Sequence, residues 1–181
     1  GAGTDTLKAF LAAFKKESRE NPNLRVHLAG HSTGAIVIAR LLEMLGRERL
    51  TVHIDSIHLM APAISVRHFE KAYGPILRGQ RARLSIGKLT IFNLRNKDEL
   101  DDNVAKGYRK SLLYLVSNAL ERDPGKPILG MEKFENEIDA DLLNLPNFKI
   151  IYANSRSSMC RSTSHGGFDN DKRTMNHILK E

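Results

Sequence analysis

The chain has 181 residues, of which 41% are hydrophobic and 27% charged, with one cysteine and no tryptophan. This composition is typical of one ordinary globular domain with enough apolar residues to bury a core. No run of about 18 apolar residues is present, which excludes a transmembrane helix. The single Cys160 excludes an intramolecular disulfide framework and a cysteine-based structural zinc site.

Lysine and arginine outnumber aspartate and glutamate by 28 to 21, which gives a net charge of +7. A nucleic-acid-binding domain would concentrate such an excess beside aromatic residues or on one helix. Here the basic residues are scattered, with only a modest excess over residues 67–88. We therefore do not expect nucleic acid as a partner.

The first half of the chain predicts two helices that alternate with two strands. Apolar residues at helical spacing follow Thr4, a candidate N-cap. A short apolar stretch at 24–29 predicts a strand, and residues 35–42 are apolar on nearly every side, which predicts a buried helix with Gly46 as its C-cap. The near-continuous apolar run at 52–60 is typical of a strand that is covered on both faces.

The second half of the chain continues the alternation of strands and helices. In order, the patterns predict a short helix at 66–73, a strand at 89–94, a charged loop at 95–103, an amphipathic helix at 108–119, a strand at 148–153, and a closing helix that includes 175–179 and is capped by Asp169 or Asn170. Such alternation favours parallel strands joined by right-handed crossover helices. We therefore predict an α/β fold in which a mainly parallel sheet lies between helices in three layers, as a single domain over residues 1–181.

The segment Gly30-His31-Ser32-Thr33-Gly34 lies between a predicted strand and a predicted buried helix. A serine at such a strand-to-helix turn sits on a sharp, strained bend, so the residues two positions away on either side are expected to be small. The turn would also direct the backbone N–H of Thr33 and the N-terminus of the next helix towards an oxyanion. A glycine-rich phosphate-binding turn or a plain tight turn has the same spacing.

In this context the segment resembles the nucleophile elbow of the α/β-hydrolase family, which commonly reads Gly-His-Ser-x-Gly. The resemblance implies Ser32 as the nucleophile, followed along the chain by an acid after a later strand and a histidine after the last strand. It implies that His31 shapes the turn. His165 follows the predicted strand 148–153 through a serine-rich loop, and Gly166-Gly167 beside it would permit an unusual backbone path.

The acid is expected just beyond the predicted strand at 89–94. Asp98 lies where the family usually places it and is our choice, with Asp102 as the main rival and Asp101 behind it. Glu99 completes the cluster, and for most of these residues the simpler interpretation is a solvated acidic loop or the first turn of a helix. The histidines within predicted strands or helices are interpreted as packing or surface residues: His27, His53, His58 and His177.

The resemblance implies a serine hydrolase of the esterase or lipase type that acts on a small-molecule ester or thioester. His165 would take the proton of Ser32, and Asp98 would orient His165. No metal or cofactor is implied. Two alternatives remain: a non-catalytic module with this fold that binds a ligand, and a basic surface-binding domain, for which the arginines within residues 67–88 are the candidate contacts.

The resemblance covers only the C-terminal portion of the family's fold, because the candidate nucleophile comes as early as Ser32. We therefore expect the N-terminal strands, and the loop that supplies the second oxyanion donor, to lie outside this chain. The predicted strand 24–29 would then be an apolar edge, which we expect to pair with a missing N-terminal segment or with another chain. With one cysteine and no signal peptide in view, we expect a cytoplasmic protein.

Overall fold

The computed structural model describes residues 2–47, 51–102, 110–120, 125–155 and 159–180. Four strands form one sheet: β1 (His27–His31), β2 (Val52–Met60), β3 (Leu84–Asn93) and β4 (Phe148–Tyr152). All neighbouring strands are parallel, and their order across the sheet is the order along the chain. Leu28 pairs with Ile57, Ile57 with Leu89, and Leu89 with Phe148. The predicted α/β fold with a parallel sheet is confirmed.

Helices connect the strands, as parallel pairing requires. They are α1 (Ala2–Glu20), α2 (Gly34–Leu45), α3 (Val66–Ala72), α4 (Gly74–Leu77), α5 (Asn96–Asp101), α6 (Leu112–Leu115), α7 (Ala140–Leu143) and α8 (Lys172–Leu179). A π-helical turn (Val116–Leu120) continues α6, and 3-10 turns occupy Glu132–Glu137 and His165–Gly167. Among the described residues, none of these helices combines the length and apolar character needed to cross a bilayer.

The sheet is covered on both faces. Ile57 and Leu59 of β2 belong to the larger hydrophobic cluster, which also contains residues of α2, α3 and α4. Phe92 of β3 belongs to a second cluster, against which Met175 and Ile178 of α8 pack. Alternate residues of a strand point to opposite faces, so α8 and the α2–α4 group lie on different sides of the sheet.

Several predicted boundaries change in the structure. The strand predicted at 24–29 begins only at His27, because Asp55 takes over the pairing before it: its carboxylate Oδ2 accepts the N–H of Val26 at 2.8 Å and its N–H donates to the Val26 carbonyl at 2.8 Å. The α1 helix already begins at Ala2, so Thr4 lies inside it and is not its N-cap. Gly46 is confirmed as the C-cap of α2, whereas α8 is capped by Asp171 and not by Asp169 or Asn170.

Two further predictions need correction. The segment predicted as a charged loop at 95–103 forms α5 over most of its length; its last residue lies outside the described residues. The helix α2 is not buried on every side, since Val37 is 54% exposed. The predicted helix at 108–119 is described only from residue 110 onwards, where α6 and the π-helical turn replace one continuous α-helix.

Candidate active site

Ser32 occupies a strained turn between the last residue of β1 and the first residue of α2. Its φ is 54°, a left-handed conformation that costs a residue with a side chain about 1 kcal/mol. Three backbone hydrogen bonds hold it there. The Ser32 N–H donates to the Met60 carbonyl at 2.9 Å, and the Ser32 carbonyl accepts the N–H groups of Ala63 at 2.9 Å and Ala35 at 3.3 Å. The strand, the sharp bend and the helix that the motif predicts are therefore all present.

The two glycines of the motif differ in their surroundings. A Cβ on Gly30 would lie 2.9 Å from the Ile38 Cδ1 atom and 3.0 Å from the carbonyl carbon of Gly34. A Cβ on Gly34 would meet no described atom within 4 Å. The predicted need for a small residue is therefore supported at Gly30, and the described part of the chain gives no such reason at Gly34.

The start of α2 offers a hydrogen-bond donor next to Ser32. Thr33 precedes the first residue of α2, and its side chain makes no capping hydrogen bond. The Thr33 carbonyl accepts the N–H groups of Ile36 and Val37, but its own N–H has no backbone acceptor among the described residues. This N–H, with the positive end of the helix dipole behind it, is available to an anionic oxygen.

The structure places His165 directly against His31, the residue before Ser32. The ring Nε2–H of His31 donates to the His165 carbonyl at 2.7 Å, and the centroids of the two rings are 5.2 Å apart. His31 thus joins the turn that carries Ser32 to the loop that follows β4. His31 was expected only to shape its own turn. Its ring also contacts a loop 134 residues further along the chain.

Burial dominates the electrostatics of His165. Its side chain is only 4% exposed. Burial and, to a smaller extent, the nearby His31 lower the pKa of the ring, the carboxylate of Asp102 opposes this change, and the resulting pKa is about 4. Neither ring nitrogen has a hydrogen-bond partner in the described part of the chain, so no hydrogen bond joins the ring to Ser32 Oγ. Such bonds often form only when substrate is bound.

Of the candidate acids, Asp102 contacts the histidine loop. Its Oδ2 accepts the backbone N–H of His165 at 2.8 Å. Asp98 and the exposed Asp101 lie within α5, and no hydrogen bond between described residues joins either of them to His165. The choice of Asp98 as the orienting acid therefore has no support in the geometry, whereas its rival Asp102 does.

Glu99 is not a solvated loop residue. Its side chain is fully buried, and burial raises its carboxyl pKa to about 7. The sequence carries no signal for this, because Glu99 stands among three aspartates and its main partner, Ser111, is twelve residues away. The charged cluster therefore divides into the buried carboxyl of Glu99, the carboxylate of Asp102 that contacts the histidine loop, and two further carboxylates on α5.

Contacts within the loop after β4 set the path of His165. A Cβ on Gly167 would lie 2.8 Å from Ser162 Oγ and 2.9 Å from Ser164 Oγ, so this glycine allows close packing. Neither Gly166 nor Gly167 has a positive φ, and the predicted unusual backbone path is therefore not adopted.

Asp171 connects the loop to α8, because its Oδ2 accepts the N–H of Arg161 at 2.7 Å and the hydroxyl of Thr174 at 2.7 Å. Asp171 lies immediately before α8, a position where aspartate is a recognisable N-cap signal in the sequence.

Within the described ranges, no group of three or more histidine, cysteine, aspartate or glutamate side chains could hold a metal ion. Comparisons of the chain with protein-family models, with curated proteins and with solved structures found no match. The candidate reactive groups of the site are therefore Ser32, the Thr33 N–H, His165 and Asp102.

Proposed function

We propose that the protein is a serine hydrolase of the α/β-hydrolase type. The observation that carries the proposal is the strained Ser32, at φ 54° between β1 and α2, with the loop of His165 bound to the adjacent His31. The family's order of nucleophile, acid and histidine along the chain agrees with it. The substrate class is a carboxylic ester or thioester.

In the proposed reaction, His165 takes the proton of the Ser32 hydroxyl as Oγ forms a bond to the substrate carbonyl carbon. The carbonyl oxygen becomes an anion and accepts the N–H of Thr33. The carbon–oxygen or carbon–sulfur bond to the leaving group then breaks, and His165 returns the proton to that group. Water repeats the sequence on the acyl-enzyme, which releases the acid and restores Ser32.

The low pKa of His165 has a consequence for this chemistry. At about 4, it leaves the imidazole unprotonated at neutral pH, as a general base must be. We assign the orienting role to Asp102 in place of Asp98, since Asp102 already holds the histidine loop through the backbone N–H. A negative charge there favours the imidazolium that forms when His165 accepts the proton.

Phosphonate labelling tests the nucleophile. A fluorophosphonate should form a covalent adduct with the protein, and the adduct should be absent in Ser32→Ala. Ser18→Ala, which removes a serine hydroxyl on α1, is the matched control and should label like the unaltered protein. Equal labelling of Ser32→Ala and the unaltered protein, or no labelling of either, would refute the assignment.

A pair of variants tests the acid. Asp102→Asn should lower the turnover of an aryl ester by about a hundredfold or more, because removing the charge next to the base typically costs that much. Asp98→Asn should stay within about threefold, since the structure gives Asp98 no contact with His165. A larger loss in Asp98→Asn than in Asp102→Asn would restore Asp98 as the orienting acid.

One observation favours a second candidate, a binding module with this fold and no catalysis. Neither ring nitrogen of His165 has a hydrogen-bond partner among the described residues, so Ser32 lacks the hydrogen bond to a base that activates a serine nucleophile. In that case no phosphonate adduct forms, and His165→Gln leaves ligand binding unchanged. A Ser32 adduct that is lost in His165→Gln would eliminate this candidate.

A further inference from the structure

The buried carboxyl of Glu99 lies beside the proposed acid and takes no part in the proposed reaction. Glu99 is on α5, and Asp102 is the residue that follows the end of this helix. The Glu99 side chain is fully buried, while Asp102 reaches the His165 N–H at 2.8 Å. Any shift of α5 would therefore move Asp102 relative to the histidine loop.

Glu99 is joined to the start of α6 by two hydrogen bonds. Its carbonyl accepts the N–H of Ser111 at 2.8 Å, and its Oε2 accepts the Ser111 hydroxyl. Ser111 is the N-cap of α6, where its Oγ accepts the N–H of Tyr114. The Tyr114 hydroxyl donates to Asn96 Oδ1 at 2.8 Å, at the other end of α5. The helix that precedes Asp102 is thus attached to α6 at two places.

The surroundings of Glu99 favour its neutral form. Its Oε1 is buried and has no hydrogen-bond partner among the described residues. An unpaired carboxylate oxygen costs far more in such a place than an unpaired neutral group. Three charged groups in the described part of the chain act on Glu99. Asp98 and Asp102 repel a negative charge there, and Lys133 of the 3-10 turn Glu132–Glu137 attracts one. Burial is the largest of these effects, and the two aspartates act in the same direction.

We propose that protonated Glu99 is a positioning residue: through Ser111 it holds α5 against α6 and so places Asp102 on the loop of His165. Ionisation of Glu99 puts an unpaired negative charge in a buried site, next to Asp98 and Asp102. The cost of burying that charge favours movement of the Glu99 side chain towards solvent, which breaks the contact with α6 and carries α5 and Asp102 away from the loop. The site is therefore assembled at pH values below the Glu99 pKa and loosened above it. This inference rests on the proposed function for its effect on catalysis.

The test is the second-order rate of phosphonate labelling at Ser32, measured from about pH 6 to about pH 8.5. Since the pKa of Glu99 is about 7, the rate in the unaltered protein should fall about tenfold per pH unit above that value. His165, with its pKa of about 4, does not titrate in this range. In Glu99→Gln, which is neutral at every pH and can still accept the Ser111 hydroxyl, the fall should disappear. Glu137→Gln, on an exposed glutamate, should keep the fall.

A second variant keeps the carboxyl. In Ser111→Ala the midpoint of the fall should move to a higher pH, because the lost hydrogen bond favours the charged form of Glu99. An unchanged or lower midpoint, or a fall that persists in Glu99→Gln, would overturn the proposal.

The backbone amide signal of His165, followed by NMR over the same range, separates this proposal from the proposed function. A step with a midpoint near the Glu99 pKa, present in the unaltered protein and absent in Glu99→Gln, supports the positioning role whether or not Ser32 labels. An amide signal that responds identically in both proteins overturns it, and absent labelling with the step intact refutes only the hydrolase assignment.

Discussion

Replacing Gly30 by alanine tests how tightly the elbow is packed. The added methyl carbon would lie 2.9 Å from Ile38 Cδ1, 3.0 Å from the Gly34 carbonyl carbon and 3.2 Å from its oxygen. Carbon atoms in favourable contact are about 3.5–4.0 Å apart. The Ile38 side chain can move slightly, but the Gly34 backbone belongs to the first turn of α2. Relieving both contacts requires a shift of β1 relative to α2.

Overpacking of this kind costs about 1–3 kcal/mol, and we expect Gly30→Ala to lower the free energy of unfolding by that amount. Because the chain has no tryptophan, urea unfolding is best followed by far-UV circular dichroism. The same shift would displace Ser32 and the Thr33 N–H, so the labelling rate should fall by about tenfold to a hundredfold.

Gly34→Ala is the matched control, since a Cβ there meets no described atom within 4 Å. Alanine is the better helix former, so the variant should be as stable as the unaltered protein or more stable by up to about 1 kcal/mol. Ile38→Val removes the Cδ1 atom, and Gly30→Ala should therefore cost less in that background. If Gly30→Ala unfolds at the same urea concentration as the unaltered protein, or if Gly34→Ala is the more damaging change, the steric argument is refuted.

Two further predictions concern stability. The pKa of His165 is about 4 in the folded protein against 6.5 for an ordinary histidine, so the folded state binds fewer protons between these values. The contribution of neutral His165 to the free energy of unfolding is fully present above pH 6.5 and is lost as the pH falls towards 4. This contribution is about 3 kcal/mol. In His165→Gln, urea unfolding should therefore lose this part of its pH dependence. The buried Tyr73 hydroxyl donates to the Ala35 carbonyl at 2.7 Å, so Tyr73→Phe should cost about 1–2 kcal/mol. Tyr152→Phe, whose partner Glu135 can be solvated, should cost less in thermal unfolding, and an equal cost would contradict this reasoning.

The parts of the fold that the sequence predicts well are those with a local signal. The strand at 52–60 is confirmed at both ends, because its apolar run is near-continuous and ends at a proline-containing turn. The strand–turn–helix at Ser32 is also confirmed, and at Gly30 the small residue meets a local steric requirement. In both cases neighbouring residues determine the conformation.

The sequence does not predict features that depend on a partner residue far away along the chain. The apolar residues Leu24 and Val26 predict the start of a strand, but the Val26 N–H and carbonyl form hydrogen bonds with Asp55. Among the acids after β3, sequence position favours Asp98, and that choice stays a prediction. The contact of Asp102 with the His165 N–H has no local signal, because the two residues are 63 positions apart. Glu99 is indistinguishable by sequence from its solvated neighbours until Ser111 is packed on it. No local sequence pattern predicts these contacts.

The order of the strands across the sheet bears on how the chain folds as it is synthesised. Leu28 pairs with Ile57, 29 residues later, and Ile57 pairs with Leu89 after another 32, so each strand finds its neighbour in the segment made just before it. Phe148 pairs with Leu89 only after a further 59 residues. The strand leading to Ser32 can therefore join a three-stranded sheet while the His165 loop is still unmade. The turn of the proposed nucleophile can therefore form first, and the proposed base follows with the last strand.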